Sequence, residues 1–289
     1  MTNATVFSDF VCELGEGPGY NPLTGTVWWF NILAGQLLEK SWPDGETKVQ
    51  DLGMKASALA VIDAGRQLVW TENGLYIRDR KSGALTLHKA IEADNLATRS
   101  NDARVHPSGA FWLGTMGKKA EEGAGSIWWY REGEVRRLFT GITITNSISF
   151  SPNGRIAYFA DTDKNILWRV ETDPETGLPV GAKAIFHHRT EEGGIDGSVV
   201  DADGVLWNAC WSAGAVHAYS QEGKLIRSVA VPTRQPSCPA FVGPNADRLL
   251  VTTAYEGMSE SERAADPNAG RPLLLDIAVK GVFDPPVRL

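Results

Sequence analysis

The sequence reads as an all-β protein, a six-bladed β-propeller around a central channel. Three observations point there: helical periodicity is scarce, short aromatic and β-branched runs recur, and Gly, Pro, Asn and Asp punctuate those runs at regular intervals. The interval itself is the strongest of the three. A polar turn followed by an apolar strand appears six times: Asn21-Pro-Leu-Thr-Gly25 before TVWWF, Ile62-Asp-Ala-Gly65 before RQLVW, His106-Pro-Ser-Gly109 before AFWLG, Ser151-Pro-Asn-Gly154 before RIAYFAD, Asp201-Ala-Asp-Gly204 before VLWNACW, and Gly243-Pro-Asn-Ala-Asp247 before RLLVTT.

With Thr26, Gln67, Ala110, Ile156, Val205 and Arg248 taken as equivalent, the steps are 41, 43, 46, 49 and 43 residues. Each turn is followed by a second apolar segment and another polar turn, as in GQLLEKSWPDGE, GLYIRDRKSGA and GAVHAYSQEGK. Four short strands in about 40–50 residues is the size of one propeller blade. Six blades account for the 289 residues as a single domain, 1–289. A four-stranded blade cannot cover both of its faces alone, so neighbouring blades must, and most of the ten Trp are expected in those packed faces. The segment Val6–Val11 is expected to pair into the last blade and hide a sheet edge.

Composition narrows the class of function. Hydrophobic residues make up 43% and charged residues 22%, so the chain can bury a core and is not disordered. The net charge of −7 argues against nucleic acid or an anionic membrane surface as a partner. No signal-peptide pattern opens the chain, and no run approaches the roughly 18 apolar residues of a membrane span. Three widely spaced cysteines, Cys12, Cys210 and Cys238, form neither a disulfide framework nor a zinc site. A cytoplasmic protein is expected.

The repeat also predicts a site. The first strand of each blade lines the channel, and counting five residues back from each turn gives Glu16, Ser57, Asn101, Asn146, Asp196 and Cys238. None is aliphatic, and four carry side-chain oxygens of carboxylate or amide. Such a ring suits a hard divalent ion such as Ca²⁺, Mg²⁺ or Mn²⁺. A polar, water-filled channel without metal explains it equally well at this point.

Leu14-Gly-Glu-Gly-Pro18, Arg99-Ser-Asn101-Asp102, Gly114-Thr-Met116, Thr145-Asn146-Ser147 with SPNGRIAYFADT, and Asp196-Gly197 with VVDADGVLW stand in an order that resembles, end to end, the senescence marker protein/regucalcin/gluconolactonase family. The resemblance implies a divalent-metal-dependent sugar lactonase on a six-bladed propeller. It places one divalent cation, calcium first and zinc, magnesium or manganese as alternatives, on Glu16, Asn146 and Asp196. It puts substrate hydroxyls on Arg99 and Asn101 and, in relatives, on a Glu after the Gly-Thr-Met motif; in Lys118-Lys119-Ala120-Glu121-Glu122 that position falls on Glu121 or Glu122, and a solvated charged loop is the other reading of both. Four of these residues also belong to the ring reached by counting. Ser147 stands where the family commonly has Gly, and Ile195 where it commonly has Pro; neither removes a ligand atom.

The activity implied is hydrolysis of an aldonolactone, with Asp196 as general base. The alternatives are a metal-dependent esterase or phosphotriesterase on the same site, and a non-enzymatic calcium-binding propeller. No GxSxG elbow or phosphate loop is present. Cys238, without a basic neighbour, reads as an inert thiol narrowing the channel. His106 reads as a capping or surface residue, and His187-His188 as a strand-end pair.

Overall fold

A computed structural model describes residues 4–289, whose regular structure is strand apart from one helix. The chain divides into two compact units, Met1–Asp51 with Arg189–Phe283, and Leu52–His188 with Asp284–Leu289. Each contains three four-stranded antiparallel sheets.

In the first unit, β1 (Ala4–Val6) precedes the sheet β2 (Gly15–Asn21), β3 (Thr26–Asn31), β4 (Gln36–Ser41) and β5 (Thr47–Asp51). The second unit holds β6 (Ala56–Val61), β7 (Arg66–Thr71), β8 (Gly74–Asp79) and β9 (Leu85–Ala90) as one sheet. Its next sheets are β10 (Thr98–Val105) to β13 (Glu134–Ile142), through β11 (Phe111–Gly117) and β12 (Gly125–Arg131), and β14 (Thr145–Phe150) to β17 (Ala184–His188), through β15 (Ile156–Asp161) and β16 (Ile166–Glu171). The chain then returns to the first unit with β18 (Gly194–Val200), β19 (Leu206–Trp211), β20 (Ala215–Tyr219) and β21 (Leu225–Ala230). The last sheet has β22 (Pro236–Val242), β23 (Arg248–Thr253), β24 (Leu273–Leu275) and, at its edge, β1.

The six predicted repeat positions fall within one residue of the start of the second strand of every sheet. The repeat is spaced by turn chemistry. Asn21, Asp63 and Asp201 accept backbone N–H groups two residues on at 2.9–3.0 Å, from Leu23, Gly65 and Asp203, so each polar residue closes its own turn. The second strands that follow are buried almost throughout.

Burial follows the Trp reading. Trp29, Trp70 and Trp112 are 0–1% exposed and Trp129 and Trp207 are also buried, in cores built between sheets of one unit, and Trp28 is buried as well. Each fully buried large side chain contributes roughly 1.5–3 kcal/mol. The N-terminal strand does close the last sheet, pairing Ala4 with Leu275 and Val6 with Leu273. It lies earlier than Val6–Val11, because Phe7 turns inward against Trp29 and Trp42, with ring centroids 6.1 and 5.9 Å away. The helix α1 (Glu260–Ala265) is exposed and rests on a capping box between Ser259 and Glu262.

Candidate functional site

All six first strands break register at the same place. The pairing slips between Glu16 and Gly19, Ala56 and Ala58, Ser100 and Ala103, Asn146 and Ser149, Ile195 and Ser198, and Pro236 and Pro239. Every residue selected by counting back from a turn sits at that bulge. A bulge leaves one or two residues outside the ladder and re-aims their side chains, which gives the counting rule its physical content. Gly17 and Ser147, each following its Glu or Asn, have φ of 51° and 58°. The left-handed backbone explains why Gly is common there, and Ser147 adopts it at a cost of about 1–2 kcal/mol.

In the second unit the bulges of β6, β10 and β14 carry a directed chain of hydrogen bonds. Arg99 Nη1 donates to Asn101 Oδ1 at 2.7 Å, Asn101 Nδ2 donates to Asn146 Oδ1 at 3.0 Å and to Thr145 O at 2.8 Å, and Asn146 Nδ2 donates to Thr162 Oγ1 at 2.8 Å. Ser57 Oγ donates to the Asn101 carbonyl. Arg99, Asn101 and Asn146 are all buried. Because a guanidinium only donates, it fixes the direction of both amides, and Asn146 keeps a lone pair on its oxygen. Asp102 fastens the same bulges from behind, accepting Ile148 N–H at 2.7 Å. Burial pushes its carboxyl up to about 6 against the pull of Arg104.

Glu121 lies in the exposed turn after β11, its Oε2 accepting Lys119 N–H at 3.0 Å; backbone N–H groups hold it below the usual carboxylate range. Thr98 pairs with Gly117 and Arg99 with Met116, so that turn is at the Arg99 end of the sheet. Glu122 is likewise exposed. Sequence reasoning missed Glu92, which takes Trp128 Nε1 at 2.8 Å, Thr115 Oγ1 at 3.1 Å and Thr98 Oγ1 at 2.7 Å onto one carboxylate and so pins the start of β10. Its φ of 52° is invisible in the sequence.

In the first unit, Glu16 and Asp196 are buried at the bulges of β2 and β18. Glu16 Oε2 accepts Gly17 N–H at 2.9 Å, while Asn208 Nδ2 holds the Asp196 carbonyl at 2.9 Å. The strand β22 joins the two: Ser237 Oγ donates to the Gly15 carbonyl, and Cys238 packs against Gly197, where an added Cβ would meet its sulfur at 2.4 Å. Cys238 is fully buried, and its Sγ lies 3.6 Å from the Pro239 carbonyl.

The histidines stand outside this chemistry. His106 is not a surface residue: it is fully buried, with Nδ1 accepting Ser108 N–H at 3.0 Å and Nε2 at 3.0 Å from the Gly154 carbonyl, so capping is its role. Burial pushes it down to about 4. His187 and His188 end β17, as expected.

Taken one by one, the residues fit a hard divalent cation. Glu16 and Asp196 supply buried carboxylates and Asn146 an amide oxygen with its direction fixed. Among the described residues no three His, Cys, Asp or Glu gather into a metal-holding group, and a set of two carboxylates and one amide is not of that kind.

Residues 14–255 match the SMP-30/Gluconolactonase/LRE-like region. The chain is 49% identical over 283 residues to a protein of Rhizobium meliloti (strain 1021) assigned to the sugar lactone lactonases, covering 98% of this chain and 96% of the relative. It is 35% identical to the L-arabinolactonase of Azospirillum brasilense, over 92% of this chain and 89% of that enzyme. Among solved structures, a calcium-binding protein, regucalcin, of Agrobacterium tumefaciens superposes with a TM-score of 0.98 and 47% identity, covering 100% of this chain and 98% of that one. With its six four-stranded sheets, the chain has the six-bladed β-propeller fold. Matched over most of its length, it belongs to the SMP-30/Gluconolactonase/LRE-like family.

Proposed function

We propose that this lactonase hydrolyses a sugar-acid lactone, of the glucono-, xylono-, arabinono- or galactonolactone type, to the open-chain aldonic acid, with one divalent cation on Glu16, Asn146 and Asp196. The observation that carries the reading is the directed chain from Arg99 through Asn101 to Asn146. A cation, an amide and a metal-seeking oxygen in series suit a polyhydroxylated ester, and a mere water channel does not require them. Lactonase relatives support the reaction class, and the calcium-binding structural relative supports calcium as the first ion to test.

The cation, when bound, supplies Lewis acidity at the lactone carbonyl and a template for water. Asp196 takes a proton from the attacking water as the new carbon–oxygen bond forms. The ring carbon–oxygen bond then breaks, and the proton passes to the departing ring oxygen. Arg99 and Asn101 orient sugar hydroxyls, Asn101 as an acceptor, and Arg99 stabilises the developing oxyanion, with little reorganisation because Asn101 is locked by four hydrogen bonds through its amide and its carbonyl. Glu121, ionised and exposed, offers an acceptor for further hydroxyls.

The proposal takes residues 1–289 as one catalytic unit, with no nucleic-acid or membrane partner. Cytoplasmic location is part of it, in keeping with three free, buried cysteines. No helix among the described residues is long and apolar enough to cross a membrane. The test is a pH-indicator hydrolysis screen of aldonolactones, with a phosphotriester beside them, on chelated protein resupplied with Ca²⁺, Mg²⁺, Mn²⁺ or Zn²⁺ in turn. Cation-dependent acid release from at least one lactone is expected. Phosphotriester cleavage alone would move the assignment to that class, and no turnover with any ion would leave a calcium-binding propeller.

A further inference from the structure

We propose that Arg189 is a positioning residue for the lactonase reaction, clamping the loop that delivers Asp196. Its guanidinium is buried, 4% exposed, at the start of the segment leading into β18. Nε and Nη2 both donate to the Glu192 carbonyl, at 3.2 and 2.6 Å, closing the chain back on itself just ahead of the strand. Nη1 reaches the floor of the same sheet, donating to Cys210 Sγ on β19 and to His217 Nδ1 on β20, each at 3.2 Å. Tyr219 Oη meets the same His217 nitrogen at 3.3 Å. One planar fork therefore ties three pieces of backbone, the loop, β19 and β20, into a single body.

The clamp acts where Asp196 is aimed. Ile195 pairs with Cys210 across the ladder, so the sulfur that Arg189 grips belongs to the residue opposite the one preceding Asp196. The loop is also pressed onto β19 by Gly193, at φ 94°, where a Cβ would lie 2.5 Å from the Trp211 carbonyl. With Gly193 and Gly194 adjacent, the segment has little stiffness of its own. The guanidinium supplies it.

This inference rests on Asp196 as the reacting carboxylate of the proposed function, so its test has one arm that reads turnover and one that does not. Arg189→Lys keeps the charge but cannot span three acceptors; Arg189→Ala leaves a space that free guanidinium can enter. For both variants kcat is expected to fall on the order of 10²-fold, as misplacement of a reacting group does, with KM within about twofold. Millimolar guanidinium should restore part of the Arg189→Ala loss and none in wild type. Amide hydrogen exchange should quicken across residues 190–196 and stay unchanged in β6 to β17. Wild-type kcat in Arg189→Lys, an unaltered exchange pattern, or a loss of protection spread over the whole chain would each overturn the clamp. A wild-type protein that opens no lactone would instead overturn the reaction, and the exchange arm alone would then decide whether Arg189 holds the loop.

Discussion

Asn101 hands its side-chain N–H to the side-chain oxygen of Asn146 at 3.0 Å, and the direction of that bond is set two residues back, by Arg99 donating at 2.7 Å to the oxygen of Asn101. Replacing Asn101 by Asp changes one atom and reverses the logic. A carboxylate oxygen then faces the Asn146 oxygen and the Thr145 carbonyl, and Asn146 must turn its NH₂ toward the site to avoid it. A buried group set against its partner costs about 1–3 kcal/mol, so cation affinity in Asn101→Asp should drop roughly tenfold to a hundredfold. Calorimetric titration with Ca²⁺ measures it, with circular dichroism as the check on folding. Unchanged affinity would remove the directed chain from the proposed mechanism.

Asp196 and Glu16 should separate in their effects. Asp196→Ala is expected to abolish lactone turnover, since a general base alone contributes roughly 10²–10⁴-fold and the cation loses a ligand as well. Glu16→Gln keeps an oxygen donor but removes a charge, so its activity should recover at higher cation concentration. Steady-state rates across a cation series distinguish the two. Near-normal turnover in Asp196→Ala would refute its role.

The blade count and the equivalent first-strand positions at the bulges were legible because both follow from periodic features of the chain. Asx turns at Asn21, Asp63 and Asp201 fix where three of the second strands begin, and a bulge recurs a set distance before each of the six turns. What stayed hidden depends on contacts between segments far apart in sequence. Arg189 and Glu92 look like ordinary charged loop residues until β19, β20 and the strands around Trp128 are brought beside them. The polar turn around His106 left capping and surface roles equally open in the sequence; the Gly154 carbonyl of the next sheet and the Phe150 ring, 4.8 Å away, enclose it and leave capping. The short helix α1 did carry a signal, Ser259 three residues before Glu262, but without an apolar face it left no periodicity to notice.

Gly197 should tolerate no side chain. An added Cβ would stand 2.4 Å from Cys238 Sγ, 2.6 Å from its Cβ and 2.9 Å from its Cα, so the clash is with the strand itself. Overpacking of this kind costs about 1–3 kcal/mol or more. Gly197→Ala is expected to lower the urea midpoint, and adding Cys238→Ala should not recover it because the Cβ remains. Full recovery in the double variant would show that only the sulfur is crowded.

Asp102 and His106, four residues apart on β10 and the turn that follows, should pull the stability of the protein in opposite directions as pH falls. Burial raises the Asp102 carboxyl from 3.8 to about 6, so between those values the folded chain binds a proton that the unfolded chain lacks, and stability rises as the pH drops through 6. Burial lowers His106 from 6.5 to about 4, so there the unfolded chain holds the extra proton; the stability it confers is complete above 6.5 and is lost on the way down to 4. Each effect is at most about 3 kcal/mol, and in wild type they largely cancel. Asp102→Asn, which can still accept Ile148 N–H, removes the first and should lose stability relative to wild type from pH 6 to 4. His106→Gln removes the second and should gain it over the same range. Urea unfolding at several pH values measures both, and the difference from wild type eliminates the other carboxylates. Variant slopes of the same sign would mean that at least one of these groups titrates in the fold as it does in water.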